Sequence, residues 1–336
     1  MLVAAYAGLH FLVDMVCAWS MFSFFVEGNY ENLLIYNFCA FALQMPFGTL
    51  LDLFRDRLRR LPATVAALGT VITVIGSLMH PAVLGIGNAL FHVGGGVHVM
   101  EDDLINNRKG ALLGIFVAPG AVGLYLGSVL GKGANSLLPV TIAALLMICF
   151  LYPCFRQSKM ASCENPCHLS TGKLIPLILC CFVVVVIRSW IGLSVRFKWQ
   201  AMTTFSCLAV ASIAAGKACG GLLAARFGIG RTAVISLILA SLCYLGANHP
   251  VFGICALFLL NMSMPLTLYL LAKNLPAMAG FSFGLLTFGI FLGFVPVYLR
   301  MDMALNGNLA GALGSVVSCL LLIIAGKAGR YDKVSS

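Results

Sequence analysis

Apolar residues run along this chain in long blocks divided by short polar breaks. A helix that crosses a bilayer needs about 20 largely apolar residues. On that measure the sequence predicts twelve spans, near 2–26, 32–54, 62–79, 82–100, 111–131, 137–155, 174–195, 201–224, 232–247, 251–272, 278–298 and 305–326. Two neighbouring pairs are divided only by a His-Pro turn, at His80-Pro81 and His249-Pro250. Those turns hold equivalent places in the two halves. The longest polar break, "RQSKMASCENPCHLSTGK" at 156–173, leaves six spans on either side. The expected organisation is an all-α polytopic membrane protein. An N-terminal six-helix bundle covers 1–155, a cytoplasmic linker 156–173 and a C-terminal six-helix bundle 174–336.

Composition agrees with that class. Of the 336 residues, 61% are hydrophobic and 10% charged, with a mean hydropathy of +1.01. Soluble domains carry roughly 25% charged residues. The net charge of +10 is spread along the loops instead of forming a basic block with aromatics, so nucleic acid is not an expected partner. The lipid bilayer is. With the N-terminus inside, fifteen of the 21 Lys and Arg residues fall on cytoplasmic segments and four outside, while Arg188 and Lys217 lie within spans. Basic loops stay in the cytoplasm, which places both termini there and the protein in the cell membrane. The first segment has no basic n-region and carries Asp14 midway, so it reads as a span and not as a cleaved signal. Most of the 13 cysteines fall inside apolar spans, where they act as small fillers. Cys163, Cys167 and His168 share the polar linker, but two thiols and one imidazole do not complete a tetrahedral site. No metal or other cofactor is expected.

Ionisable groups at membrane depth are costly and default to functional roles. The candidates are His10, Asp14, His92, His98, Arg188 and Lys217, with Asn88, Asn261 and Gln44 adding neutral polarity. His10 and Asp14 are four residues apart, on one helix face, where a carboxylate beside an imidazole can pass a proton. They form the candidate proton-coupling pair. Asn88 and His92 share a face in the same way, within "GIGNALFHVGGGVHVMEDD". His98 lies nearer the end of that segment and reads as interfacial. Arg188, in "VVVVIRSWIGL", either binds an anionic group bidentately or neutralises Asp14. Trp190 lies beside it. Lys217 is placed to reach the interface with its ammonium.

The second and eighth spans end alike. "GTLLDLFRDRLRR" holds Gly48, Asp52 and Arg57; "GGLLAARFGIGR" holds Gly221, Arg226 and Arg231, with Ala225 in the place of the aspartate. A glycine admits a close neighbour, and a carboxylate at a helix end can meet a neighbouring helix N-terminus or an arginine. Together these residues form a candidate cytoplasmic latch. The repeated frame resembles the signature loop of the major facilitator superfamily, present in both halves. "GLHFLVDMVCAW", "GIGNALFHVGGG" and "VVIRSWIGL" are similar to segments of its fosmidomycin-resistance branch, as is the Pro- and Gly-rich run from 265 to 289. Val93 stands where that branch often has proline.

The resemblance implies two bundles that rock around a midplane cavity lined by spans one, four, seven and ten. That would gather Asp14, His92, Arg188 and Asn261, with Asn88 and Trp190, as a substrate site. It also links a Gly- and Pro-rich fifth span, here Gly114, Pro119, Gly120, Gly123, Gly127 and Gly131, with exporters packed at the seam between the halves. The expected function is a proton-coupled exporter or antiporter of a small organic anion, working as a monomer. A divalent transition-metal transporter using the His and Asp side chains, or a membrane receptor, are the rivals. An enzyme is not expected: the chain has no nucleophile elbow, HExxH or P-loop.

Overall fold

A computed structural model of the chain describes residues 1–26, 30–55, 60–133, 137–156, 170–301 and 306–329. Among these residues every regular element is a helix. In lipid a backbone has no water to bond, so each crossing segment satisfies its amides internally. Ten helical segments are long and apolar enough to cross a membrane, and two shorter ones, Leu61–Gly76 and Ile229–Leu245, complete the twelve spans of the sequence reading. The protein is a multi-pass membrane protein. Leu145, Ile148, Leu242 and Leu320 are each more than half exposed on outward helix faces, where hydrocarbon can cover them.

In chain order the helices are α1 (Leu2–Ser20), α2 (Glu31–Asn37), α3 (Gln44–Phe54), α4 (Leu61–Gly76), α5 (Pro81–Ile105), α6 (Ala111–Gly133) and α7 (Leu138–Arg156). They continue with α8 (Thr171–Ser194), α9 (Thr203–Phe227), α10 (Ile229–Leu245), α11 (Pro250–Asn261), α12 (Ser263–Asn274), α13 (Ala279–Tyr298) and α14 (Gly307–Ala328). The two His-Pro turns work as the sequence suggests. Pro81 and Pro250 open α5 and α11, where a fixed φ suits the first turn and the missing N–H is no loss. His80 Nδ1 accepts from the N–H of Ala82, 3.1 Å away.

Irregular turns fall inside spans one, two and ten. A π turn, Met21–Phe25, ends the first span. Another, Phe38–Ala42, joins α2 to α3. There the Gln44 amide donates to the Ala40 carbonyl at 2.6 Å, supplying a bond where the ladder is disturbed. Between α11 and α12 the Asn261 amide donates to Leu257 O at 2.8 Å in the same manner.

The chain divides into two compact units. The first holds Met1–Asp102, Ile115–Ser162 and Met278–Phe288; the second holds Asp103–Gly114, Cys163–Ala277 and Gly289–Ser336. Two short stretches, 103–114 and 278–288, thus belong with the opposite half of the sequence. In the first unit α6 packs along α1 through its glycines. A Cβ on Gly123, Gly127 or Gly131 would strike the backbone of Phe11, Met15 or Trp19. Gly114, alone among the glycines from 114 to 131, meets second-half residues, Lys217 and Ala218. In the second unit Gly311 lies on the Tyr244 ring and Gly314 on Ile187 and Ile191, joining α14 to α10 and α8.

Candidate functional site

The polar centre of the first unit is built from two four-residue spacings. On α1, Tyr6, His10 and Asp14 fall one turn apart on one face; on α5, Asn88 and His92 do the same. All five side chains are buried. The His10 Nε2 lies 3.2 Å from Asp14 Oδ2, and the His92 Nε2 lies 3.7 Å from Asp14 Oδ1. The two Nε2 atoms are 2.9 Å apart, with their rings nearly perpendicular. The Asn88 amide donates to Asp14 Oδ1 at 3.1 Å and lies 3.5 Å from Cys17 Sγ.

The outer ring nitrogens are held by backbone. His10 Nδ1 donates to the Phe116 carbonyl at 2.8 Å, and His92 Nδ1 donates to the Asn88 carbonyl at 2.9 Å. Both rings are therefore fixed in bearing. The α6 backbone closes over the group at Gly120, where a Cβ would fall on His10 Nε2 and Asp14 Oδ2. Pro119 precedes it and removes one bond from the helical ladder in that turn. One ligand atom from each of His10, Asp14 and His92 lies within 4.8 Å of the others, a spacing open to a metal ion as well as a proton.

A second group lies toward the other end of α1 and α5. Tyr6 and His98 meet through the hydroxyl and Nδ1 at 2.9 Å. His98 is buried there. Glu101 pairs with Arg55 Nε at 3.1 Å, both buried.

Close by, α3 meets the start of α13. A Cβ on Gly48 would strike the Gly280 carbonyl, and Asp52 accepts the N–H groups of Gly280 at 2.8 Å and Phe281 at 2.7 Å. These are unpaired N–H groups at a helix N-terminus, where a carboxylate is favoured. The second unit repeats the arrangement with a different donor of charge. Gly221 on α9 lies against the Gly110 carbonyl. Ala225 offers no carboxylate, and Asp103 takes the role: it accepts from Gly110 N at 2.8 Å and Leu113 N at 2.9 Å, at the start of α6. Of the other latch candidates, Arg226 and Arg231 are exposed, with the Arg226 guanidinium over the Phe227 ring at 5.3 Å. Arg57 lies outside the described residues.

The second unit also holds Arg188, Trp190 and Asn261. Arg188 on α8 is only 7% exposed, and its Nη1 has no hydrogen-bond partner among the described residues. Trp190 is half-buried beside Ser189, whose hydroxyl donates to Ile290 O at 2.8 Å.

No family model and no curated protein sequence matches the chain. Solved structures do. A major facilitator superfamily transporter, FucP, in the outward conformation aligns over 98% of both chains with a TM-score of 0.70 and 14% identity. The E. coli fucose:proton symporter FucP aligns over 98% of both chains, with a TM-score of 0.66 and 16% identity. The chain has the major facilitator fold.

Sequence reasoning missed four participants of these sites within the fold. Phe116 contributes only a carbonyl, which no side-chain pattern reveals. Tyr6 precedes His10 by one turn and could have been found by extending the spacing. Glu101 and Asp103 stand in view at the end of a span, where their charge gives no sign of burial. They are 7% and 0% exposed.

Proposed function

We propose that this protein is a proton-coupled secondary transporter that exports a small organic anion by alternating access. The observation that carries the reading is the buried His10–Asp14–His92 group. Three titratable side chains at membrane depth are expensive to keep and serve no packing need that apolar residues could not meet. Imidazole is the side chain whose ordinary range of protonation lies nearest neutral pH, as a coupling site requires. Arg188 supports an anionic cargo. A permanently charged guanidinium buried with an open Nη1 suits a carboxylate, phosphonate or phosphate ester. Asn88, His92, Asn261 and Trp190 complete the proposed substrate set. Likeness to the fosmidomycin-resistance branch in "GIGNALFHVGGG" and "VVIRSWIGL" supports export. Both termini are placed in the cytoplasm, the membrane is the cell membrane, and the working form is a monomer.

The cycle follows from the charges. Binding a proton at one side of the membrane changes the balance between two states of the bundles, and binding the anion shifts it again. Asp52 and Asp103 hold helix starts that must release if those ends part.

The test is flux in proteoliposomes. Candidate carboxylates, phosphonates and phosphate esters are added under an imposed pH gradient while a trapped dye reports internal pH. An anion that moves protons, in a sense showing exchange and not co-transport, supports the reading. Asp14→Asn abolishes gradient-driven flux and leaves anion binding measurable. Undiminished gradient-driven flux in that variant removes Asp14 from the coupling role. A second reading, a divalent-metal transporter, is favoured by the spacing of the same three ligand atoms. Uptake of Zn²⁺ or Mn²⁺ in place of any anion would select it.

A further inference from the structure

We infer that His10, Asp14 and His92 bind a divalent transition-metal ion, and that the bound ion blocks the proton cycle instead of being carried. This rests on the proton-coupled reading and adds an inhibitor of the same site.

The ring nitrogens are already set as ligands. A carbonyl oxygen only accepts, so His10 Nδ1, facing Phe116 O, and His92 Nδ1, facing Asn88 O, each carry hydrogen. In the neutral rings the lone pair is then on Nε2, and both Nε2 atoms turn to the Asp14 carboxylate. Metal-bound histidines are held in this manner, with the outer N–H given to a backbone carbonyl and the inner nitrogen to the ion. The Asn88 amide donates to Asp14 Oδ1 and orients the third ligand. Whatever proton or water those atoms meet in the free protein, a metal replaces it.

The spacing fits a small ion. Tetrahedral ligands around zinc, at bonds of about 2.0–2.1 Å, stand about 3.3 Å from one another. Here the two Nε2 atoms are 2.9 Å apart, His10 Nε2 is 3.2 Å from Asp14 Oδ2, and His92 Nε2 is 3.7 Å from Asp14 Oδ1. The nearly perpendicular rings let both nitrogens approach one centre. Gly120 supplies the cradle. A Cβ there would fall on both His10 Nε2 and Asp14 Oδ2, so glycine keeps open the space beside two of the three ligands. Two imidazoles with one carboxylate suit Zn²⁺, Co²⁺ or Ni²⁺, whereas Mg²⁺ and Ca²⁺ take oxygen shells.

The ion blocks the cycle for two reasons. All three ligands stand on α1 and α5, inside the first unit. Transporter cargo sites lie where two repeats meet and open as the repeats move. An ion held by one unit keeps its ligands through that motion. Metal and proton also compete for the same atoms, because these ligands bind metal only when unprotonated. The ion takes the Nε2 and carboxylate lone pairs, a loaded proton passes to solution, and no electron moves. Affinity therefore rises with pH. The neighbouring titratable groups are Cys17 on α1, beside Asn88, and Tyr36 on α2, which hydrogen-bonds to Cys17. From α6 the Phe116 carbonyl and Gly120 face the site.

The experiment adds Co²⁺ or Zn²⁺ to chelator-stripped full-length protein in nanodiscs. Ligand-field bands report Co²⁺, and zinc-edge X-ray absorption identifies the donor atoms. The expected result is a one-to-one complex with two imidazoles, oxygen and no sulfur, unaffected by excess Mg²⁺ and tighter at higher pH. His10→Gln, His92→Gln and Gly120→Ala should each weaken it at least about tenfold. Gly120→Ala retains every ligand and so tests the cradle alone. The wild-type absorption edge names the donors even where a variant fails to fold. In proteoliposomes Zn²⁺ should stop proton-driven flux, chelator should restore it, and a trapped zinc-sensitive dye should stay dark. Sulfur ligation, or undiminished binding in both histidine variants, overturns the site. Zinc entering the vesicles overturns the blocking role and selects metal transport. Coupled flux that zinc leaves unchanged sinks the inference and spares the transport reading. A histidine-bound ion on a protein without coupled flux sinks the transport reading and spares the metal site.

Discussion

Asp52 Oδ1 accepts the N–H of Gly280 at 2.8 Å, joining two residues 228 positions apart in the chain. Its second oxygen takes Phe281 N at 2.7 Å, so one carboxylate satisfies two amides of one helix start. Such a bond combines charge-assisted hydrogen bonding with the favourable end of a helix dipole. Asp52→Asn keeps the shape and removes the charge. It should lower the stability of the purified protein by about 1–2 kcal/mol, read by thermal or denaturant unfolding in a mild detergent. An unchanged transition would mean the pair contributes nothing measurable.

Asp103 does the same work at α6 and is fully buried. Asp103→Ala leaves Gly110 N and Leu113 N without acceptors, at a cost of about 2–3 kcal/mol or more. Gly110 adds a backbone constraint. Its φ is +93°, and a Cβ there would come within 3.0 Å of the Pro265 carbonyl. Gly110→Ala should therefore destabilise by at least about 1 kcal/mol through strain alone. A stability equal to wild type in either variant would remove the turn from the account.

Gly120→Ala probes the proposed coupling site without replacing a titratable group. Its Cβ lies 2.5 Å from Asp14 Oδ2 and closer still to His10 Nε2, so the rings or the helix must shift. Proton-driven flux should fall at least about tenfold, since sub-ångström errors in a proton-transfer geometry are expensive. Gly133→Ala is the matched control, because a Cβ there meets nothing within 4 Å. Equal flux from the two variants would mean that α6 does not shape the site.

Arg188 distinguishes charge from geometry. Arg188→Gln should weaken anion binding by about tenfold to a hundredfold, the worth of one charge-assisted pair. Arg188→Lys keeps the charge and loses the planar fork, and should recover only part of that. The measurement is ligand-induced thermal stabilisation across a series of anions. A Gln variant that binds as well as wild type would take Arg188 out of the anion site.

The spans were legible because their signal is long and additive: some 20 apolar residues outvote any single exception. The His10–Asp14 and Asn88–His92 faces were legible from a spacing of four alone. That they interlock was not, because two helices can face each other at any height and rotation. The Gly120 backbone and Phe116 carbonyl supply the third wall, and neither advertises itself in a sequence. The residues of the candidate latch were half legible. Gly48 and Asp52 follow a repeated frame, whereas Asp103 replaces a residue missing at 225 from a different helix, and only the fold shows that substitution.

Gly94, Gly95 and Gly96 in α5 are three separate constraints and not one soft spot. A Cβ at the first would strike the backbone of Pro62 and Ala66, at the second the Tyr6 ring, and at the third the Phe283 ring. Successive positions on a helix point about 100° apart, so these three contacts grip α5 from three sides like splines on a shaft. A turn of the helix about its own axis would press against all three neighbours. The bearing of His92, less than one turn before the run, is therefore locked to its neighbours. A displacement of α1 along α5 would therefore move His10 against an imidazole held in place, with no compensating turn of α5 free of contact.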